Sequence, residues 1–264
     1  MSTHRGSLTT SPTGSFGTRI DRNAIGFVNS VAIHNGLAAL AIEATGDRRN
    51  PGKVVFYDTK TRTLSRGTNQ IVVGSLPDML TFTHDGRKLL VANEGTPNAV
   101  ADTAYVAPDP PGTVSIIDMA TRSVVATAGF AGVPQFGTNL RTNTGMDFEP
   151  EYIAVTHDGT RAFVTLQEAN AIAELDLTTN AFTQVIGLGA KDFSVPGNEI
   201  DPKDNDGVVS FSTVAAKGLY MPDSVGTYKW RGNTYVVLAN EGDYPATCSR
   251  PALVRSPSAT LTAI

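Results

Sequence analysis

The sequence predicts an all-β protein, a partial β-propeller of about three complete four-stranded blades and part of a fourth. Two observations predict it. Short runs rich in Val, Ile, Phe and Tyr recur in groups of four between turn residues, and repeated four-stranded units are the mark of sheets stacked around an axis. Their apolar character is nearly continuous, as in "KLLVA" at 88–92 and "AIAEL" at 171–175, which suits strands covered on both faces. A parallel β-helix is the rival reading, but its coils are usually shorter and more regular.

The first unit takes in 30–33, the turn His34-Asn35-Gly36, then 37–43, 53–58 and 70–73. The second runs through 77–82, His84-Asp85-Gly86, 88–92 and Asn93-Glu94-Gly95, and after an insertion through 112–118 and 122–126. The third takes 150–155, His157-Asp158-Gly159, 162–165, Gln167-Glu168, 171–176 and 181–186. A fourth starts at 221–225, turns at Trp230-Arg231-Gly232, and reaches 235–239 and Asn240-Glu241-Gly242.

The phrase His-Asp-Gly occurs twice and invites a catalytic reading. Asp-Gly and Asn-Gly also favour tight turns, because Gly, and to a lesser degree Asn or Asp, accepts positive φ. The fourth unit puts Trp230-Arg231 where the others put His-Asp or His-Asn. A turn tolerates that exchange and a catalytic pair does not, so His84, Asp85, Gly86, His157, Asp158 and Gly159 are read as structural turns.

Residues 1–22, rich in Ser, Thr and Gly, are expected to be a disordered N-terminal segment. Residues 23–244 form the propeller portion, and 245–264 ("PATCSRPALVRSPSATLTAI") an irregular tail without strand periodicity. Such a tail points to a frameshift or early stop, and an open arc would leave two blade faces exposed to association. The net charge of −4 over 264 residues gives no footprint for nucleic acid or an anionic membrane. Cys248 stands alone, so no disulfide forms within the chain. No apolar run approaches the roughly 20 residues of a membrane span.

In an up-and-down unit, the start of strand one and the end of strand two share a side. Asp78, Glu149, Glu151 and Asp223 begin first strands, and Glu43, Glu94, Glu168 and Glu241 end second strands. The longest excursions, 96–111, 131–149 and 187–220, emerge on that side as well. Clustered carboxylates attract hard cations, so Ca²⁺ is the candidate ion and Glu43, Glu94, Glu151, Glu168 and Glu241 the candidate ligands. The loop "DPKDNDG" at 201–207 adds Asp204 and Asp206 at alternate-ligand spacing, without the later glutamate of an EF-hand. The same carboxylates would also lock loops by accepting backbone N–H bonds. Asp118 and Asp176, late in third strands, are read as turn formers.

Chemistry of the usual kinds is not signalled. Nucleophile elbow, zincin and Walker motifs are missing, and three of the four histidines sit in hairpin turns away from the acidic side. One reading is a metal-dependent phosphoesterase, with Lys191, Lys203 and Arg141 neutralising the phosphate. The competing reading, preferred here, is a non-enzymatic module binding a protein, glycan or mineral ion through the same side, with Asp78, Glu149, Asp223, Lys191 and Arg141 on the ligand face.

Five phrases carry a family resemblance: "LPDMLTFTHDGRKLLVANEG", "GTVSIIDM", "EPEYIAVTHDGTRAFVTLQEANAIAELD", "PGNEIDPKDNDG" and "TYVVLANEGDY". Together they resemble the choice-of-anchor I family, which includes relatives of mesenchyme-specific cell-surface glycoproteins. The resemblance runs from about Val28 to Tyr244. It implies a propeller of the YVTN or quinoprotein-like kind, secreted or held at the cell surface, in a family often labelled alkaline phosphatase. Similar proteins carry a signal peptide, which is not visible in this chain, and continue for several more blades.

Overall fold

A computed structural model describes residues 26–95, 110–142, 148–203, 206–241 and, as backbone, 260–263. The disorder expected at 1–22 falls outside the described residues, as does most of 245–264. Blade 1 comprises β1 (Val28–His34), β2 (Leu37–Ile42), β3 (Pro51–Asp58) and an outer strand split into β4 (Thr63–Leu64) and β5 (Gln70–Ser75). Blade 2 is β6 (Pro77–Phe82), β7 (Lys88–Asn93), β8 (Thr113–Asp118) and β9 (Ser123–Ala128). In the third sheet, β10 (Gln135–Thr138) runs parallel to the outermost strand. The blade itself is β11 (Pro150–Val155), β12 (Arg161–Leu166), β13 (Ala171–Asp176) and β14 (Ala181–Leu188). A ribbon of β15 (Ala190–Asp192) and β16 (Lys217–Leu219) lies within the 187–220 excursion.

Blade 4 holds β17 (Pro222–Trp230), β18 (Asn233–Asn240) and β19 (Thr260–Ala263), which pairs antiparallel with β18. That last strand lies inside the stretch expected to be irregular. The antiparallel blades exclude the β-helix. Innermost strands β1, β6, β11 and β17 pack side by side in sequence order, and the described blades form an arc rather than a closed ring.

The near-continuous apolar runs have the cause expected of them. In β7, Leu89 and Val91 face blade 1 and join Ala39, Ala41, Val54 and Phe56. Leu90 and Ala92 face blade 3 and join Ile153, Val155 and Val164. Phe163 and Ile172 then meet Val225, Val236 and Leu238 of blade 4. Each fully buried aliphatic or Phe side chain stabilises by about 1.5–3 kcal/mol.

Polar clips tie the same interfaces. Lys88 Nζ reaches from blade 2 to the Leu177 carbonyl and, at 2.6 Å, to Asn180 Oδ1 of blade 3. Arg122 Nη1 donates backwards to Ser65 Oγ (2.7 Å) and to the Arg66 and Thr68 carbonyls, with its guanidinium 5.3 Å over the Phe56 ring. Asn170, fully buried at φ +53°, donates to the Asn139 and Gly189 carbonyls and accepts from the N–H groups of Tyr220 and Met221.

The first-to-second-strand turns fall into two classes, not the single class the sequence suggests. Asn35-Gly36 and Arg231-Gly232 are two-residue hairpins with both residues at positive φ, the backbone of a type I′ turn. Blades 2 and 3 use five-residue loops, 83–87 and 156–160, closed by Gly86 N–H to the Thr83 carbonyl and Gly159 N–H to the Thr156 carbonyl. The opening threonine makes the difference: Thr83 Oγ1 accepts from Lys88 N–H and donates to Asp85, as Thr156 does with Arg161 and Asp158.

Asn170 supplies the stability test. Replacing it with Gly keeps the positive φ but orphans buried backbone groups, each of which costs about 1–3 kcal/mol. Asn170→Gly and Asn170→Ala should both lower the urea midpoint strongly, with Ala the worse because it also strains at that φ. An unchanged midpoint in urea titration would show that the junction of blades 3 and 4 does not depend on this side chain.

Candidate functional site

One local device recurs at the same end of every blade. The register of first against second strand slips between Val28 and Ser30, Pro77 and Met79, Pro150 and Ile153, and Pro222 and Ser224. Bulges of this kind re-aim a side chain. The residues inside them are Asn29, Asp78, Glu151 with Tyr152, and Asp223. Just before two of these, Leu76 and Met221 adopt φ +45° and +46° although both are bulky and buried. Left-handed backbone at such residues is strained and needs surrounding structure to hold it. Part of that hold is visible: Glu94 N–H donates to the Leu76 carbonyl (2.9 Å) and Glu241 N–H to the Met221 carbonyl (3.2 Å). In blade 1, Glu43 N–H donates to the Phe27 carbonyl (3.0 Å).

The result is a double row at one rim. Asn29, Asp78, Glu151 and Asp223 come from innermost strands; Glu43, Glu94, Gln167 and Glu241 follow second strands. The pairing of Pro150 with Leu166 puts Gln167, not Glu168, at the position of Glu94; Glu168 comes one residue later. Gln167 is buried and its Nε2 donates to Glu241 Oε2 at 3.3 Å. Asn29 Nδ2 donates to the Pro77 carbonyl (3.1 Å), pinning blade 1 beside Asp78. Glu149 is buried beside Pro150 at the same end.

The carboxylates feel one another. Burial and the charges of Glu94 and Asp223 push the Asp78 carboxyl up to about 7, against a smaller lowering by Arg48. Burial, then Glu94, Glu168, Asp78 and Asp223, push Glu151 well above the usual carboxylate range. Asp223 is raised by burial and by Glu241. Arg48, 3.6 Å from Glu43, is the cation on this cluster that residue types alone did not flag. Arg141 donates to the carbonyls of Glu168 and Ala169, so it braces the turn carrying Glu168. Lys191 lies on the ribbon with its Nζ 5.6 Å over the Phe193 ring.

In the described part of the 201–207 loop the carboxylates accept from backbone N–H groups of the same excursion. Asp206 Oδ1 accepts from Val208 N–H (3.0 Å), and Asp201 accepts from Lys203 and Ser210. Asp204 lies outside the described residues. Among the described residues, no three His, Cys, Asp or Glu side chains are grouped so as to hold a metal ion. The opposite rim carries the turns. Asp58, Asp118 and Asp176 each accept from N–H and Thr hydroxyl groups two or three residues on, and these bonds lower their carboxyl pKa values. His84-Asp85-Gly86 and His157-Asp158-Gly159 sit there too, with Gly86 and Gly159 at φ +68° and +71°.

The sequence matches the choice-of-anchor I domain over residues 7–250. No curated protein matches it. Among solved structures, it is similar to the β-propeller domain of Myceliophteria thermophila Cps50 (Swd1), at 10% identity and a TM-score of 0.42 over 83% of this chain. A eukaryotic initiation factor aligns at 14% identity and a TM-score of 0.40 over 66% of this chain. The chain spans 51% and 35% of those two chains. At such scores the superpositions carry no argument, and the propeller assignment rests on the blades themselves. Among the described residues, no helix is long and apolar enough to cross a membrane.

The rim has a pH signature. Asp78 titrates near 7 when folded, against an ordinary 3.8. Between those values the folded chain keeps a proton that the unfolded chain has released. The contribution is therefore fully present below about 3.8 and is lost as pH rises through about 7. The thermal midpoint should fall from pH 5 to pH 8, and Asp78→Asn should flatten that fall. Equal slopes for the two proteins in scanning calorimetry would contradict the crowding.

Proposed function

The chain belongs to the choice-of-anchor I family, and we propose that it is a non-enzymatic binding or scaffolding module, secreted or held at the cell surface. One observation carries this reading. Asp78, Glu151 and Asp223, aimed by the same bulge in successive blades, form a recessed row in which burial and the charges of Glu94, Glu168 and Glu241 raise their proton affinity. Crowded carboxylates favour a positive charge over their own solvation. The ligand this rim suits is therefore cationic: Ca²⁺, or ammonium and guanidinium groups on a protein.

Ca²⁺ takes six to eight oxygens, and among the described residues no three acidic side chains gather around one point. The ion would thus be held jointly with oxygens of the bound partner, such as glycan hydroxyls. The buried Gln167 and the braced Glu168 turn support a fixed surface rather than a mobile reaction centre.

Thermal melts with Ca²⁺ and with EDTA test the ion. A ligand at a hundred times its Kd stabilises by about 2.7 kcal/mol, so the midpoint should rise in Ca²⁺ and fall back in EDTA. Asp78→Asn combined with Glu151→Gln should remove the rise. An unchanged midpoint would take Ca²⁺ out of the reading and leave protein cations. Turnover of p-nitrophenyl phosphate that disappears in Glu94→Gln would replace the binding module with a phosphoesterase.

A further inference from the structure

The rim opposite the carboxylates has a concavity of its own. A cleft of about 480 Å³ opens between the two five-residue turns and β17, lined by His84, His157, Thr227, Tyr228 and Lys229. That volume lies within the roughly 300–1,000 Å³ of small-molecule sites. The two imidazoles stand with ring centroids 6.3 Å apart, inclined at 51°. His84, His157 and Lys229 are all exposed to solvent.

The neighbouring acids are turned away. Asp85 Oδ1 accepts from Thr83 Oγ1 (2.7 Å) and Arg87 N–H (3.0 Å). Asp158 Oδ1 accepts from Thr156 Oγ1 (2.7 Å), Thr160 N–H (3.1 Å) and Thr160 Oγ1 (2.8 Å). Both carboxylates serve their own turns, and neither lines the cleft. Thr227 Oγ1 donates to the Val155 carbonyl at 2.7 Å, so it fixes β17 against β11. The Tyr228 ring stacks on its cross-strand partner Tyr235, centroids 5.1 Å apart at 13°, on the face of blade 4 opposite Thr227 and Lys229, so only its backbone borders the cleft. What remains to meet a ligand is an ammonium and two imidazoles that donate N–H bonds.

We propose that this cleft binds a tetrahedral oxyanion, free or as the ester of a small sugar. Lys229 supplies the charge, and His84 and His157 supply the donors. A transition metal would also suit two imidazoles, but the Lys229 ammonium opposes a cation there.

Calorimetric titration of the full chain at low ionic strength tests this, with inorganic phosphate, glucose 6-phosphate and neutral glucose as probes. Both anions should bind saturably and glucose should not. Binding should weaken tenfold or more in Lys229→Met and in the His84→Gln, His157→Gln double variant. It should survive in Lys229→Arg, and in Lys60→Met, which removes an exposed lysine that does not line the cleft. Tighter binding of glucose 6-phosphate assigns the ligand to a sugar ester, equal binding to the free anion, and either result supports the site. Thermal melts identify any variant that has lost its fold; Lys229→Arg, which keeps the charge, then decides. The proposal is overturned if neither anion binds, if Lys229→Met and the double variant bind as wild type, or if Zn²⁺ binds where phosphate does not.

Discussion

The inner sheets of this molecule are covered on both faces, and the rest follows from that requirement. A strand such as β7 cannot alternate apolar and polar residues, because Leu89 and Val91 meet one neighbour while Leu90 and Ala92 meet the other. Sheets satisfied in this way stack rather than curl, and their first strands come to lie side by side. Equivalent residues of successive units then land at one level. Whatever the repeat places at the start of its first strand becomes a row around an axis.

The rim uses that geometry at an energetic cost. A left-handed Leu or Met costs about 1–3 kcal/mol, and a carboxylate among carboxylates resists ionisation. Both burdens fall on the same few residues: Leu76 beside Asp78, and Met221 beside Asp223. Burial of the two strained side chains and the N–H bonds from Glu94 and Glu241 hold the backbone in place. A structure under selection for stability alone would relax these positions with glycine and neutral side chains. Their occurrence side by side fits a surface shaped for a ligand.

Much of this was legible in the residues. Pro-Asp and Pro-Glu openings, Asn-Glu-Gly endings and Asp-Gly turns marked the blades and the shared acidic side. The gaps have physical causes. A bulge is a property of pairing, so no residue type announces those at Asp78 and Glu151. The third unit lacks the Asn-Glu-Gly phrase, which made Glu168 look equivalent to Glu94 when the register puts Gln167 there. Positive φ at Leu76 runs against the preference of its side chain and leaves no trace in composition. The clips from Lys88 and Arg122 span dozens of residues to other blades, and local reading does not reach that far. The hairpins around His84 and His157 were read correctly as turns, yet the cleft they border depends on where β17 passes.

Lys88 and Arg122 both belong to the second blade, one reaching forward and the other back. Among the described residues these clips and the main packing contacts run between neighbouring blades, so the assembly behaves as a short linear chain of coupled units. Its members are unequal. The outward side of β1 leaves Val31 and Ile33 60% and 66% exposed, whereas the second unit is gripped from two directions. Fraying should therefore begin at the flanks, and the slowest amide exchange should fall on β7 and β8. The second blade acts as the keystone, and damage there would part the two halves of the arc where damage at either end would only shorten it.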